Sequence, residues 1–528
     1  MADSVWWKHG IIYQIYPRSY QDTNGDGVGD LKGVNERLDY LGWLGADAIW
    51  ISPIYPSPMA DFGYDVSDYC DVDPLFGSLR DFDQLVVSAH QRGIKIILDF
   101  VPNHTSDKHP WFVESRVSRS NPKRDWYIWR DGKADGSPPN NWLSQFGGPA
   151  WTLDERTGQY YLHSFLREQP DLNWRNPAVR GAMYDVLRFW LDRGVDGFRV
   201  DVIWVLIKDA EFRDNPPNPN YRATDAGITR LLPVHSADQP ETHDVVAEMR
   251  AVLDQYEDRV LIGEIYLPIE RLVTYYGKDL GGAHLPFNFQ LIHTAWTAPA
   301  IASLVTEYEG ALPPGGWPNW VLGNHDQPRI AGRVGAAQAR IAAMLLLTLR
   351  GTPTMYYGDE IGIGKVHIPQ QAMQDPWEKN EPGLGLSRDP SRTPFQWDAT
   401  ANAGFSRARP WLPVDPTYKT CNVQVLRQDA LSILNLYRRL LSVRREYAAL
   451  NSGSFRLIGV QGNALIYERK TEYERIVVFL NFGDTEQPIE SQDFGCSTIL
   501  VSTQPDRTAL NERLVLRPNE GLTILVAS

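Results

Sequence analysis

The segment Lys95-Ile96-Ile97-Leu98-Asp99-Phe100-Val101-Pro102-Asn103-His104 decides the predicted fold class, because an apolar, strand-like run ends in a cluster of polar side chains. Three further runs end in the same way, at Gly197-Phe198-Arg199-Val200-Asp201, at Gly263-Glu264 and at Asn324-His325-Asp326. Acids at the ends of strands that alternate with helices indicate several carboxylates at the C-terminal rim of a parallel barrel.

Strand and helix signals alternate along the chain. Strands are predicted at 11–16, 48–51, 95–100, 197–200, 260–264, 320–322 and 354–357, and helices at 31–44, 79–92, 179–191, 243–256, 336–349 and 430–446. Strand–helix repeats of this kind build a parallel sheet. We therefore predict an α/β protein whose core is a TIM (β/α)8 barrel.

Two stretches depart from this alternation. Residues 105–173 are rich in Trp, Pro, Gly, Asn and Arg, and so long an irregular stretch is improbable as a plain loop, so a small inserted domain is expected after the third strand. Short β-like runs at 464–469, 475–480, 496–501 and 514–516 indicate a terminal antiparallel domain. The predicted domains are a catalytic barrel over 1–104 and 174–450, an inserted domain B over 105–173 and a C-terminal β-sandwich domain over 451–528.

The composition of the chain indicates which kinds of molecule it can bind. The chain has 528 residues, of which 43% are hydrophobic, and a formal net charge of −13. This length is ample for a large core. The acidic balance and the lack of a Lys/Arg cluster argue against nucleic acid and anionic membranes, whereas a neutral small-molecule substrate is compatible with them.

Cysteine usage and the chain start bear on the compartment. Cys70, Cys421 and Cys496 are far apart and odd in number, which argues against a disulfide framework or a zinc site. The first residues lack the apolar core of a signal peptide. The longest apolar run, 341–349, is far shorter than the roughly 18 residues of a membrane span. We expect a cytoplasmic protein with no membrane contact, whose substrate is imported or made inside the cell.

A glycine-rich acidic loop is a candidate metal site. Asp22-Thr23-Asn24-Gly25-Asp26-Gly27-Val28-Gly29-Asp30 matches the first part of an EF-hand loop, with Asp22, Asn24, Asp26, the Val28 carbonyl and Asp30 as ligands. Gly33 stands where an EF-hand has its final Glu, so the loop is not an EF-hand. Oxygen-only ligands fit Ca²⁺ or Mg²⁺. A metal-free loop of Asx turns is the alternative.

The strand-end acids indicate a particular chemistry. A pair of carboxylates such as Asp201 and Glu264 can protonate a leaving oxygen and stabilise a cationic transition state, as glycoside hydrolysis requires. Arg199 lies two residues before Asp201, hence on the same strand face, where it can hold the acid ionised. The alternative is a buried ion pair that only ties the barrel together.

These segments, in this order, resemble the four signature regions of glycoside hydrolase family 13, the α-amylase superfamily of retaining glycosidases. Gly63-Tyr64-Asp65-Val66 and Arg392-Thr393-Pro394-Phe395-Gln396-Trp397 resemble further signatures of its α-glucosidase and oligo-1,6-glucosidase branch. The resemblance covers nearly the whole chain. It implies that Asp201 is the nucleophile that forms a covalent glucosyl-enzyme and that Glu264 is the general acid and then the base.

The same resemblance implies the other site residues. Asp326 is the third catalytic acid and binds the sugar 2- and 3-hydroxyls. The implied substrate-binding residues are Asp61, Tyr64, His104, Arg199, His325 and Arg392. Tyr64 would stack on the glucose ring and His104 would bond the 6-hydroxyl. Asp61 paired with Arg392 would clamp the 4-hydroxyl and wall off the site, which makes the enzyme exo-acting; Arg388 competes for that role. Related α-glucosidases carry structural Ca²⁺ in the loop described above.

The resemblance leaves the substrate linkage open. Val202 follows the nucleophile, and Val there is associated with α-1,6 preference in this branch. The expected function is a broad, exo-acting retaining α-glucosidase on short substrates, with transglucosylation, as a monomer or homodimer. The alternatives are a strict oligo-1,6-glucosidase and an isomerase or transglucosylase such as a sucrose isomerase or trehalose synthase. A non-catalytic member resembling the transporter heavy chains would carry a membrane span and often lack the acids.

Overall fold

The computed structural model describes residues 5–490, 497–510 and 513–527. Eight parallel strands form one sheet: β1 Ile12–Ile15, β2 Ala48–Ile51, β3 Lys95–Phe100, β4 Gly197–Val200, β5 Val260–Gly263, β6 Leu285–Pro286, β7 Asn319–Val321 and β8 Thr352–Tyr356. They pair in the order β7-β8-β1-β2-β3-β4-β5-β6. A parallel bridge between Asn288 and Trp320 joins the two ends, so the sheet closes as the predicted barrel.

Side chains on the first three barrel strands alternate between two cores, as the period of a strand requires. Ile12, Trp50 and Ile97 belong to the smaller apolar cluster, whereas their neighbours Tyr13 and Ile49 belong to the large one that includes the surrounding helices. Polar side chains at the ends of the strands extend the first set toward the C-terminal rim. Because of this alternation, the acids at the strand ends lie on the inner side of the barrel.

The helices follow the predicted order with shifted ends. They span Trp6–His9, Leu31–Glu36, Leu38–Leu44, Leu79–Gln91, Pro110–Ser115, Pro177–Asp192, Thr242–Leu253, Ile269–Leu272, Gln290–His293, Ala298–Ala311, Ile330–Thr348, Pro376–Asn380, Val423–Gln428, Ile433–Glu446 and Ala448–Asn451. The single helix predicted over 31–44 is two helices that meet at Arg37, whose guanidinium binds the Gln21 side chain and lies 4.0 Å from the Trp397 ring.

Helix Ile330–Thr348 is interrupted at Gly335, whose φ of 82° and ψ of 162° are not helical, so its longer second part begins where the helix predicted over 336–349 begins. The helix as a whole has 19 residues and a mean hydropathy of 1.3, enough by length and composition to cross a membrane. Its last turns are buried, and it packs against Ile433–Glu446. Arg340 on this helix donates to the Thr503 carbonyl of the C-terminal sheet. Its apolar character is therefore that of a core helix packed between barrel and C-terminal sheet.

The C-terminal region is antiparallel, as predicted, and the inserted segment also forms an antiparallel sheet. Between β3 and β4, strand Gln159–Leu162 lies between Trp129–Arg130 and Trp151–Asp154. The C-terminal sheet has the order Ser454–Gln461, Ala464–Lys470, Arg475–Asn481, Gly521–Val526 and Ser497–Ser502, and a second sheet pairs Gln487–Pro488 with Val515–Leu516. Cys496, where one predicted strand begins, lies outside the described residues. No predicted run corresponds to strands Ser454–Gln461, Gln487–Pro488 and Gly521–Val526.

Candidate active site

The backbone ladder of the barrel carries the two predicted catalytic acids one step past their strands. The Asp201 N–H donates to the Phe100 carbonyl at 2.8 Å, and the Glu264 N–H donates to the Val200 carbonyl at 3.0 Å. Both acids are buried, at 7% and 3% exposure. Because neighbouring strands hold both main chains, the positions of the two carboxyls follow from the barrel itself.

Arg199 joins these acids. Its Nη1 lies 2.7 Å from Asp201 Oδ1 and 2.9 Å from Asp99 Oδ1, and its Nη2 lies 2.8 Å from Glu264 Oε2. The contacts of Nη1 have hydrogen-bond geometry, whereas Nη2 has no aligned partner. An aligned, charge-assisted bond favours the ionised form of its acceptor more than a misaligned contact does. The Nη1 bond therefore favours an ionised Asp201.

The environment supports a shared proton. Burial raises the pKa of Glu264. The positive charge of Arg199 lowers this pKa, and the negative charge of Asp326 raises it further. Burial also raises the pKa of Asp201, followed by the charge of Glu264. Two close buried carboxyls with one guanidinium hold one proton between them, and they titrate as a pair.

Val202 occupies an unusual backbone conformation directly after the nucleophile. Its φ is 37° and its ψ is 45°, in the left-handed region where a β-branched residue is an outlier. In this conformation its N–H donates to Glu264 Oε2 at 2.8 Å. Strained backbone of this kind persists only when surrounding structure enforces it, and here the strained peptide orients the second catalytic acid.

Asp326 lies beyond β7 among positive and neutral groups. Burial alone would raise its pKa, but contact with His325 Nε2 at 3.2 Å and the charges of Arg388 and Arg392 lower the pKa below the usual range. Burial lowers the pKa of His325 well below its usual value, so the imidazole is neutral and the two arginines supply the positive charge. Asp326 is therefore a fixed anion at the site.

The predicted pairing of Asp61 with Arg392 is wrong. Arg388 Nη2 lies 2.7 Å from Asp61 Oδ1 and 2.9 Å from Asp375 Oδ1. Arg392 is fully buried, bonds Asp326 at 2.8 Å and donates from Nε to the His325 carbonyl. The short helical turn between the two arginines places Arg388 at the cavity and Arg392 behind it.

Tyr64 and His104 complete the predicted set. The Tyr64 ring stacks on His325 at 5.1 Å with an interplanar angle of 2°, and its hydroxyl donates to Asp99. His104 Nε2 lies 2.9 Å from the Tyr64 carbonyl, and burial lowers the His104 pKa to about 4, so the ring is neutral. Both side chains border the cavity while being held from behind.

Three residues that sequence reasoning missed support this corner. Gln169 Nε2 lies 3.1 Å from His104 Nε2 and 3.3 Å from Asp61 Oδ2. Lys208 Nζ, 1% exposed, lies 2.7 Å from Asp171 Oδ2 and also bonds the Asn103 side chain. A lone lysine in the apolar run Val205-Leu206-Ile207-Lys208 was the available signal for this buried ion pair. Gln169 stands in the irregular insertion and offers no such signal.

Most of the predicted site residues line one cavity of about 600 Å³. Of the nine predicted catalytic and substrate-binding residues, those that line it are Asp61, Tyr64, His104, Asp201, Glu264, His325 and Asp326. Arg199 and Arg392 lie behind the lining. The cavity also reaches side chains of the insertion and of the segments after β4 and β8. A small neutral molecule can thus sit between the buried acids and a wall built from three loops.

The acidic loop 22–30 is folded by its own hydrogen bonds. Asp22 accepts from the Gly25 and Gly27 N–H groups, Asp26 accepts from Val28, and Asp30 accepts from Thr23 and caps the helix that follows. Within the described part of the chain, no three Asp, Glu, His or Cys side chains converge as metal ligands. The donors are carboxylate, amide and carbonyl oxygens, a set whose chemistry fits a hard cation.

Comparisons with known proteins agree with this geometry. The family model described as alpha amylase, catalytic domain, matches residues 14–453. A probable alpha-glucosidase of Rhizobium meliloti (strain 1021) is 42% identical over 498 residues, covering 91% of this chain and 90% of the relative. An oligo-1,6-glucosidase of Parageobacillus thermoglucosidasius is 39% identical over 524 residues, covering 91% of each chain.

One solved structure is similar to this protein over nearly the whole chain. The crystal structure of the alpha-glucosyl transfer enzyme XgtA matches with a TM-score of 0.94 at 39% identity, covering 99% of this chain and 100% of that one. The family match extends over most of the barrel, the insertion and the strand-end acids alike. The chain therefore belongs to the α-amylase family of glycoside hydrolases, glycoside hydrolase family 13.

Proposed function

We propose that this protein is an exo-acting retaining α-glucosidase that removes terminal non-reducing glucose from disaccharides, short oligosaccharides and simple α-glucosides. The observation that carries the proposal is the contact of Arg199 with both Asp201 and Glu264 at the floor of the cavity. It supports a pair of close carboxyls that share one proton at the place where a sugar would bind, as a double displacement requires. The names of the relatives point to the same substrate class.

The proposed reaction assigns one role to each group. Glu264 protonates the glycosidic oxygen while Asp201 attacks the anomeric carbon from the opposite side. Arg199 and the Val202 N–H keep both carboxyls in place. Glu264 then removes a proton from water, which releases the covalent glucose with its original configuration. Asp326, as a fixed anion, binds sugar hydroxyls.

The wall behind the sugar supports exo action. Asp61 and Arg388 form a buried ion pair, and Asp375 holds the same guanidinium. A glucose whose 4-hydroxyl meets this pair has no room for a further residue on that side. Only the non-reducing end of a chain can then enter.

A product analysis tests the proposal. Fresh enzyme should release α-glucose from maltose or isomaltose, with the β-anomer appearing only by later mutarotation. Proton NMR in the first minutes distinguishes the two anomers. Initial β-glucose would overturn the double displacement, and fructosyl or trehalose-type disaccharides as main products from sucrose or maltose would establish an isomerase instead.

The linkage preference and glucosyl transfer are finer parts of the proposal. Val202 lines the cavity, which supports α-1,6 activity and keeps a strict oligo-1,6-glucosidase as the second candidate. The likeness to an alpha-glucosyl transfer enzyme supports transfer to sugar acceptors at high substrate concentration. Initial rates on maltose, isomaltose, trehalose, sucrose and kojibiose separate these candidates. The cytoplasmic location and the monomeric or homodimeric state stay predictions.

We also propose that the loop 22–30 binds Ca²⁺, or Mg²⁺ in its place, as a structural ion. Asp22, Asn24, Asp26, the Val28 carbonyl and Asp30 would hold it. Asn24 and Asp26 are exposed, so their oxygens can turn toward an ion without breaking packing. Asp22 already fixes the turn through Gly25 and Gly27, which links the ion to the barrel rim through the loop after β1.

The metal proposal predicts a stability effect with little change in the chemistry. Removing Ca²⁺ with a chelator should lower Tm, because an ion that binds only the folded state stabilises it by mass action. Asp26→Ala should abolish this dependence and leave Tm in chelator nearly unchanged. Asp22→Ala is the contrast, since it should lower Tm with and without Ca²⁺. If the Tm of the wild type is the same with Ca²⁺ and with chelator, the proposal is overturned.

A further inference from the structure

The outer wall of the cavity is made by three separate segments. We define it as Phe146 from the insertion, Ala226, Ile228 and Thr229 from the segment after β4, and Trp377 from the segment after β8. The barrel floor holds the acids and the Asp61–Arg388 pair closes the glucose end, so the leaving part of a substrate must lie against this wall. What holds the wall together therefore bears on the size of that part.

Glu381 joins all three segments. Its Oε1 accepts the Gly227 N–H at 3.0 Å, and its Oε2 accepts the Trp377 indole N–H at 3.1 Å. A Cβ built at Gly227 would lie 2.3 Å from Glu381 Oε1, and one built at Gly147 would lie 2.8 Å from its Cγ. The side chain thus fits between two glycines of different segments.

The segment after β4 depends on this contact. Its base is tied to the insertion, because Asn141 and Asn215 bond each other and Trp142 donates to the Arg213 carbonyl. Among the described hydrogen bonds of residues 216–232, the others stay within the segment, as in the bond of Asn218 to the Thr229 carbonyl. Among the described hydrogen bonds, the Gly227–Glu381 bond is therefore the one that links its far end to the rest of the protein.

We propose that Glu381 is a specificity-determining residue that holds the outer wall closed and so favours short leaving groups over long ones. The inference rests on the proposed α-glucosidase function and deepens it. Phe146 and Trp377 pack edge to face at 5.7 Å, so one side of the wall is held by ring packing, whereas the other side is hydrogen-bonded to it through the Glu381 carboxylate. Releasing that side widens the path for a second and third sugar.

Glu381→Ala should raise the ratio of kcat/KM for maltotriose to that for maltose by roughly 3- to 10-fold, because a lost bond to a charged acceptor frees the segment. The same shift should hold for isomaltotriose against isomaltose. The kcat for an aryl α-glucoside should stay near that of the wild type, since the glucose end is untouched. If Glu381 only supported folding, its replacement would lower kcat/KM for all substrates by the same factor.

Two further variants make the test decisive. Gly227→Ala would disrupt the same contact, because the added Cβ would clash with Glu381 Oε1. It should produce the same change in the ratio, and the double variant should show no larger change. Glu378→Ala is the matched control: in the described hydrogen bonds that carboxylate accepts from Gly383 and Leu386 of its own segment and not from Gly227 or Trp377, so the ratio should not change. An unchanged ratio in both Glu381→Ala and Gly227→Ala overturns the inference. A wild type without α-glucosidase activity overturns the proposed function itself and is seen before any variant is made.

Discussion

Asp201→Asn is expected to lower kcat by about 10⁴-fold or more on every α-glucoside, because no other group can form the covalent intermediate. Asn has nearly the shape of Asp, so the barrel should remain folded. The new amide would face Arg199 Nη1, which lies 2.7 Å from the acid in the native protein. Steady-state rates on maltose and on an aryl glucoside, with Tm as a check on folding, measure the effect.

Asp99→Asn is the matched control. Asp99 bonds the same Arg199 nitrogen at 2.9 Å, and burial raises its pKa to about 6, but it does not line the cavity. Its replacement should cost far less activity than that of Asp201. Equal losses would mean that the neutralised partner of Arg199, not a nucleophile, is what the reaction needs, and near-normal rates in Asp201→Asn would refute the assignment outright.

Glu264→Gln should produce the second-largest loss, and its size should depend on the leaving group. General acid catalysis contributes typically 10²- to 10⁴-fold, so we expect a loss of roughly 10³-fold on maltose or isomaltose. A phenol of low pKa leaves without protonation, so the glucosylation of an aryl glucoside should suffer much less. Comparing kcat/KM for the two classes of substrate measures the difference.

The pH profile gives an independent reading of the same variant. Burial raises the pKa of Glu264, so the alkaline limb of kcat/KM in the wild type should report loss of its proton. Gln cannot lose a proton in this range, and that limb should vanish in the variant. A loss that is equal for both leaving groups, or an alkaline limb that persists, would assign the acid role to another residue.

The fold and the acids were predictable because they depend on short-range patterns. An apolar run followed by a carboxylate identifies a strand end, and the two-residue spacing of Arg199 and Asp201 identifies a shared face, which the ion pair confirms. Strand β6, Leu285–Pro286, is too short for any periodicity to reveal. The break at Arg37 depends on Gln21 and on Trp397, a partner distant in sequence.

The wall of the site was less predictable for a related reason. Arg388 and Arg392 lie in an irregular segment, where spacing does not tell which side chain faces the cavity. Asp375 decides it, since it bonds the Arg388 side chain and backbone N–H. Gln169 and Lys208 meet the site only through the fold of the insertion. Glu381 acts between loops that no local pattern relates.

The left-handed backbone at Val202 has a consequence for how linkage preference can change. A β-branched residue such as valine is the most costly kind of side chain in this conformation, with a backbone cost of order 1–3 kcal/mol, so a replacement other than proline should cost no more backbone energy than valine does. The N–H that bonds Glu264 belongs to the main chain and survives every such replacement except proline. Position 202 is thus a site where evolution can vary the side chain beside the scissile bond while the main-chain bond that aligns the acid is kept and no backbone stability is lost.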